Sequence, residues 1–300
     1  MKYFKKTCIY LLILIILITG RYLFLNKILN NNKYTGTNYY EKRKEVDYFV
    51  YDLNENKVVE ENKLTNTVNI HELARLFTIY YALKNLDLSS DVELSTDEKV
   101  QKSFRNSIGL ANQKISVKNL IKVALVGDTD DGLYYLSKAT LEKILGEKVD
   151  ETNFLEKFKK SINDFYSKLN IDVNIIDPLG KSEENKVTME ALKQLMNKDT
   201  LFNEKFKKLY DDILYSEPSI KDKEGKEYKL IANNNFSNTD KNSGHEMWDL
   251  CYGNSYIRRY KIRKFDMVVF VNGRSKEEAK EYVIDICLKH LNDYSYNEQK

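Results

Sequence analysis

Between Asn69 and Leu83 the chain reads NIHELARLFTIYYAL, and its apolar side chains leave almost no polar face. Ile70, Leu73, Leu76, Phe77, Ile79, Tyr80 and Leu83 recur at spacings that cover nearly the whole circumference of a helix. Such a helix is stable in water only if other elements wrap it on every side. It is therefore a central helix, and the rest of the chain must supply its cover. The 300 residues, 42% hydrophobic and 12% aromatic, suffice for one large domain.

The cover is legible on both sides of this helix. VDYFVYDL (46–53) is β-branched and aromatic, and Asn54-Glu55-Asn56-Lys57 turns it into KVVEE, a hairpin pattern. Ser116 is placed to cap a helix opening at Val117. Further helices are expected at 130–145, 151–169 and 188–197, with a turn at Asp177-Pro178-Leu179-Gly180 before the last. EYKLIAN (227–233), 246–252 and RKFDMVVFVNG (263–273) read as strands, and SKEEAKEYVIDICLKHL (275–291) as an amphipathic helix. Strands at both ends around a helical block predict an α+β fold: an antiparallel sheet closed by terminal segments, flanked by the last helix and a helical subdomain. The domain spans 46–291, with 292–300 as a frayed tail.

The first residues set the location. Lys2, Lys5 and Lys6 form a basic flank at 1–6, followed by an apolar run over 7–25. The run reaches the ~20 residues of a bilayer span if Arg21 snorkels its guanidinium to the interface. A basic flank ahead of it predicts a cytoplasmic N-terminus and an extracytoplasmic remainder. No clear cleavage site follows, so an uncleaved signal anchor is favoured over a removed signal peptide. Residues 26–45, polar and rich in Asn, Tyr and Lys, read as a linker lifting the domain off a cell membrane crossed once. Cys251 and Cys287 could pair, but two thiols make no disulfide framework for a domain of this size.

Several chemistries are excluded. Interspersed charges with a net of +3 give no basis for nucleic-acid binding. His71-Glu72-Leu73-Ala74-Arg75 resembles a zinc-protease helix, but a cation at Arg75 stands where the second His ligand is needed. His71 and His245 read as ordinary histidines. Asp128-Thr129-Asp130-Asp131-Gly132 lacks the ligand required at Gly132 for a calcium loop. No metal and no cofactor is expected.

The order of these segments resembles the penicillin-binding D-alanyl-D-alanine carboxypeptidases and, more loosely, the serine β-lactamases. The resemblance rests on DLNENKVVEEN as an opening hairpin, ISVKNLIKVALVGDTDDGLYYLSKA as a helix pair, DPLGKSEENKVTMEAL as a turn and helix, and ANNNF as a strand end. It covers about residues 46–291. It implies three motif positions: Glu72 and Arg75 where the family has the Ser and Lys of SxxK, Asp128 and Asp130 in the SxN motif, and Asn242-Ser243-Gly244, or with one inserted residue Lys241 to Gly244, in place of KTG. The acyl-enzyme route needs a hydroxyl nucleophile beside an amine that can lose its proton. Glu72 offers no stable ester, and an arginine, with a pKa above ~12, cannot act as the base. The resemblance thus implies a pseudoenzyme that binds a peptidoglycan stem peptide or a wall-assembly or sporulation protein. Arg75 is expected to face Asp128 and Asp130 and plug the former cleft. Taken singly, Glu72 and Arg75 read as a helix-surface pair, and Asp128 and Asp130 as helix caps.

The alternative is an active carboxypeptidase or β-lactamase-like hydrolase. Its serine would have to be Ser89, Ser90 or Ser95, whose +3 residues are Val92, Glu93 and Glu98 rather than Lys. Arg258-Arg259-Tyr260-Lys261-Ile262-Arg263-Lys264 reads as a solvated hairpin or an anion-binding surface, and Trp248, Met247 and Leu250 as core.

Overall fold

The opening hairpin becomes one edge of a six-stranded sheet. A computed structural model describes residues 45–297 except 71–72, 96–97, 128, 198, 215, 231–235, 239–245 and 263–264. The expected anchor at 7–25 and the linker lie outside the described residues. Among the described residues, no helix is long and apolar enough to cross a membrane.

In chain order, β1 (Asp47–Asp52), β2 (Lys57–Asn62) and β3 (Thr67–Asn69) precede the central helix α1 (Ala74–Asn85). Then come β4 (Asp91–Glu93), α2 (Glu98–Lys102), β5 (Lys114–Ser116), α3 (Val117–Val126), α4 (Asp130–Leu145) and α5 (Phe154–Lys168). β6 (Val173–Asn174), β7 (Lys186–Thr188), α6 (Met189–Leu195), α7 (Glu204–Leu214), β8 (Ser219–Lys221) and β9 (Glu227–Lys229) complete the helical block. β10 (Phe236–Asn238), β11 (Glu246–Tyr252), β12 (Ser255–Ile262), β13 (Phe265–Asn272) and α8 (Lys276–Asn297) close the chain.

The main sheet runs β10-β11-β12-β13-β1-β2, antiparallel throughout, so the last strand pairs with the first. Alternation along the strands divides two cores. Val50, Tyr260, Val269 and Val271 pack with Ala279, Val283 and Ile286 of α8. Phe49, Ile257, Val268 and Phe270 join the larger core that holds α1, with Phe49 and Phe270 stacked at 5.3 Å. Ten consecutive residues of α1, Ala74 to Leu83, are buried, as the all-round apolar pattern requires.

Two expectations are adjusted. Of the strand expected over 227–233, Glu227–Lys229 pairs with β8 in a separate two-stranded ribbon and Leu230 is no longer strand, while 231–233 lie outside the described residues. The last helix runs on into the expected tail, to Asn297. Cys251 and Cys287, for which pairing was left open, are free thiols, both buried in the core between the sheet and α8.

Candidate functional site

Arg75 is the second residue of α1, and the helix is buried on the turn that carries it; its side chain is 2% exposed. A guanidinium there is tolerated only with partners that replace water. Its Nη2 donates to Asp130 Oδ1 at 3.0 Å and its Nε to the Leu179 carbonyl at 3.2 Å. That carbonyl is positioned by the Asp177 turn. Asp177 Oδ1 accepts from the Leu179 and Lys181 amides at 2.9 and 3.1 Å, and Oδ2 from Ser182 at 2.7 Å. Thr78 Oγ1, one helical turn beyond Arg75, donates to the Pro178 carbonyl at 3.4 Å. The turn and the helix are thereby stitched together.

Asp130 is the first residue of α4. The capping residue is Thr129, whose Oγ1 accepts from the Gly132 amide at 3.3 Å, so Asp130 is not the cap that its position suggested. Its carboxylate instead lies at the positive end of the helix. Asp130 Oδ2 accepts from the Arg105 amide at 2.8 Å and pairs with Lys181 Nζ at 2.8 Å and Arg105 Nε at 3.6 Å. Lys181 Nζ also donates to the Ser103 carbonyl at 3.2 Å. The next residue, Asp131, is equally buried and accepts from Ser107 Oγ at 2.8 Å and the Ile108 amide at 3.0 Å. Two adjacent carboxylates therefore tether the 103–108 segment to the start of α4.

Gly132 makes this placement possible. A Cβ there would lie 2.5 Å from Val123 Cγ1, so only glycine lets α4 cross α3 this closely. The feature that ruled out a calcium loop is a packing requirement. Among the described residues there is no group of three or more His, Cys, Asp or Glu side chains arranged for a metal ion.

Arg75 and Asp130 are thus brought together. Glu72, Asp128, Asn242, Ser243 and Gly244, with His71 and His245, lie outside the described residues. Arg105 and Lys181, which close over Asp130, were not anticipated: each sits in a short polar stretch with no periodicity to mark it. An open groove of about 880 Å³ begins at Arg105 and Lys181 and extends to Asn254 and Arg274. The cluster offers fixed charge and hydrogen-bond donors beside this groove. Of the serines that line the groove, Ser103 donates its Oγ to the Val100 carbonyl at 2.6 Å and Ser275 Oγ accepts from the Glu278 amide at 3.1 Å, while the Lys181 amine is ion-paired.

The basic run in β12 departs from expectation. Arg258 and Arg259 are buried rather than solvated. Arg258 forms a two-pronged pair with Asp249, its cross-strand neighbour, at 2.6 and 2.8 Å. Arg259, on the opposite sheet face, does the same with Asp266 at 2.9 and 2.7 Å. Neither guanidinium is available as an anion-binding surface.

No protein-family model matches the chain, and no curated protein matches it in sequence. Solved structures do match. A single-residue variant of the Streptomyces K15 DD-transpeptidase aligns with a TM-score of 0.59 at 13% identity, covering 81% of this chain and 95% of that one. A D-alanyl-D-alanine carboxypeptidase from Mycobacterium tuberculosis gives 0.55 at 17% identity, over 80% and 89% of the two chains. A peptidoglycan synthesis regulatory factor from Streptococcus pneumoniae gives 0.54 at 16%, over 84% and 78%. By its architecture, then, the chain belongs at the level of fold with the penicillin-binding proteins and D-Ala-D-Ala peptidases.

Proposed function

We propose that this protein is a membrane-anchored, extracytoplasmic binding protein on the DD-peptidase fold, holding a cell-wall stem peptide or a wall-assembly or sporulation partner without hydrolysing it. The observation that carries the reading is the buried pair of Arg75 with Asp130. The resemblance places these two positions at the Lys of the first motif, SxxK, and at the last residue of the second, SxN. In a hydrolase of this family those positions serve an amine that must shed a proton. Here a permanent cation is fixed by a carboxylate and a carbonyl, with no route to a neutral base. Glu72, from the sequence, removes the nucleophile as well. Apolar residues 7–25 behind a basic flank support anchorage, and the fold supports a peptide ligand of the wall.

The test is a titration of the purified full chain with a stem peptide ending in D-Ala-D-Ala, followed by chromatography for free D-alanine. Saturable binding with no release is the expected result. Catalytic release, abolished by changing one serine, would assign a hydrolase instead.

A further inference from the structure

The open groove beside the Asp130 cluster is lined by four cations, Arg105, Lys181, Arg274 and Lys276, against one carboxylate, Glu183. The rest of its lining is glycine, serine and asparagine, with no apolar side chain. A cleft lined largely by one sign of charge concentrates its field toward the open side.

The neighbouring acids leave that field positive where the groove begins. There Arg75, Arg105 and Lys181 share the single carboxylate of Asp130, an excess that survives with Glu183 counted. Asp130 is buried, whereas Arg105 and Lys181 keep 53% and 36% of their side-chain surface exposed, so cations face the groove. At the other end the balance is closer. Arg274 pairs with Glu45 at 2.8 Å, and its amide donates to Glu278 at 2.6 Å. Glu277 follows Lys276 in α8 but does not line the groove. Both members of the Arg274–Glu45 pair are more than half exposed, and such a pair is weak in water. Arg274 can therefore turn to a more highly charged anion.

The chain path says what lies beside this rim. Glu45 is the first described residue, so the chain enters the domain at Arg274. The residues before it in the sequence are Lys42-Arg43-Lys44, and the apolar run over 7–25 lies ahead of them. The segment proposed to cross the bilayer thus leads, through three more cations, to the rim of a cationic groove. Cations held near a bilayer draw its anionic headgroups, each strengthening association about fivefold. Phosphate suits these donors, since a guanidinium fork meets two of its oxygens at once. We propose that the groove bounded by Arg105, Lys181, Arg274 and Lys276 is a docking surface for the anionic phosphate headgroups of the membrane that carries the protein. The inference goes beyond the stem-peptide reading and rests only on the anchorage part of it.

The test places the full chain in nanodiscs of phosphatidylcholine alone or mixed with phosphatidylglycerol. Co-elution on size exclusion reports incorporation, and mass spectrometry reads the acetylation of each lysine. Lys181 and Lys276 should lose reactivity in the phosphatidylglycerol discs and regain it at ~1 M salt, where screening shortens to about 3 Å. The exposed Lys143 and Lys160, on α4 and α5, should react alike in both. Arg274→Gln, at an exposed position, should weaken the protection of Lys276 about fivefold. Incorporation into both discs with unchanged reactivity of Lys181 and Lys276 would overturn this inference alone. Equal protection of Lys143 and Lys160 would do the same, since it marks a nonspecific effect. Failure to incorporate into either disc would remove the anchorage reading and this inference with it. Protection by soluble poly(glycerol phosphate) over phosphatidylcholine, with none from phosphatidylglycerol, would give the groove to a soluble polymer and overturn the headgroup assignment.

Discussion

Two sets of buried arginines can be compared within one molecule. In the sheet, Arg258 and Arg259 each meet one carboxylate with two parallel hydrogen bonds, the pairing a planar guanidinium favours. In the helical part, one carboxylate, Asp130, is gripped from three directions by Arg75, Arg105 and Lys181, and Arg75 spends its Nε on a turn carbonyl. The sheet pairs join neighbouring strands that the ladder already holds. The Asp130 cluster joins α1, the 103–108 segment, α4 and the 177–181 turn, which no common ladder links. One arrangement is local and replaceable. The other is a keystone where four segments converge.

The comparison can be broken most forcefully at Asp130. Asp130→Ala leaves a buried guanidinium without its carboxylate and should cost about 3–5 kcal/mol in urea unfolding. A cost no larger than that of an exposed pair would reduce the cluster to ornament. Replacing both partners sharpens the contrast. Asp249→Leu with Arg258→Met should leave stability within about 1 kcal/mol or raise it, since a compact apolar pair can replace a buried ion pair. Asp130→Leu with Arg75→Met should still lose about 1–3 kcal/mol, because the part-buried Arg105 amide forfeits its acceptor and Lys181 its ion-pair partner. Equal outcomes for the two double variants would erase the distinction. Gly132→Ala tests the helix crossing that sets Asp130 in place and should cost about 1–3 kcal/mol through the clash with Val123.

Smaller effects concern the sheet's other attachments. Glu60 of β2 takes bonds from His290, Lys289 and Tyr48, and that of His290 contributes most to holding its carboxyl down to about 2. The stabilisation is complete above the ordinary value of 4.5 and is lost as pH falls from there toward 2. Urea unfolding between pH 5 and 2 should therefore show a shallower decline in Glu60→Gln than in the parent. Burial pushes the Cys251 thiol up to about 11 and the Cys287 thiol higher still. Neither should be alkylated by iodoacetamide at neutral pH in the folded protein, as mass spectrometry of the peptides would record.

Much of the fold was legible because it rests on periodicity. The apolar circumference of α1, the hairpin of β1 and β2, and the Ser116 cap, which accepts from the Asn119 amide at 3.3 Å, all follow from short-range pattern. The basic run misled because a row of charges reads as solvated. Only the sheet register reveals that Asp249 stands opposite Arg258 and that Asp266 reaches Arg259. Helix α7 went unanticipated although Phe206, Leu209, Tyr210 and Ile213 give it a buried stripe. At the candidate site, the meeting of Arg75 with Asp130 followed only from the family resemblance. Lys181 and Arg105 could not be found that way, since their role depends on how two loops fold over one carboxylate.

The central claim is that Arg75 occupies the place of a titratable amine and cannot serve as one. Incubating the purified full chain with a fluorescent penicillin, then resolving it by denaturing electrophoresis, tests that claim most directly. No covalent band, even at long incubation and high reagent concentration, is what the buried guanidinium predicts. A labelled band that unlabelled penicillin competes away would contradict it and restore an acyl-enzyme to this fold.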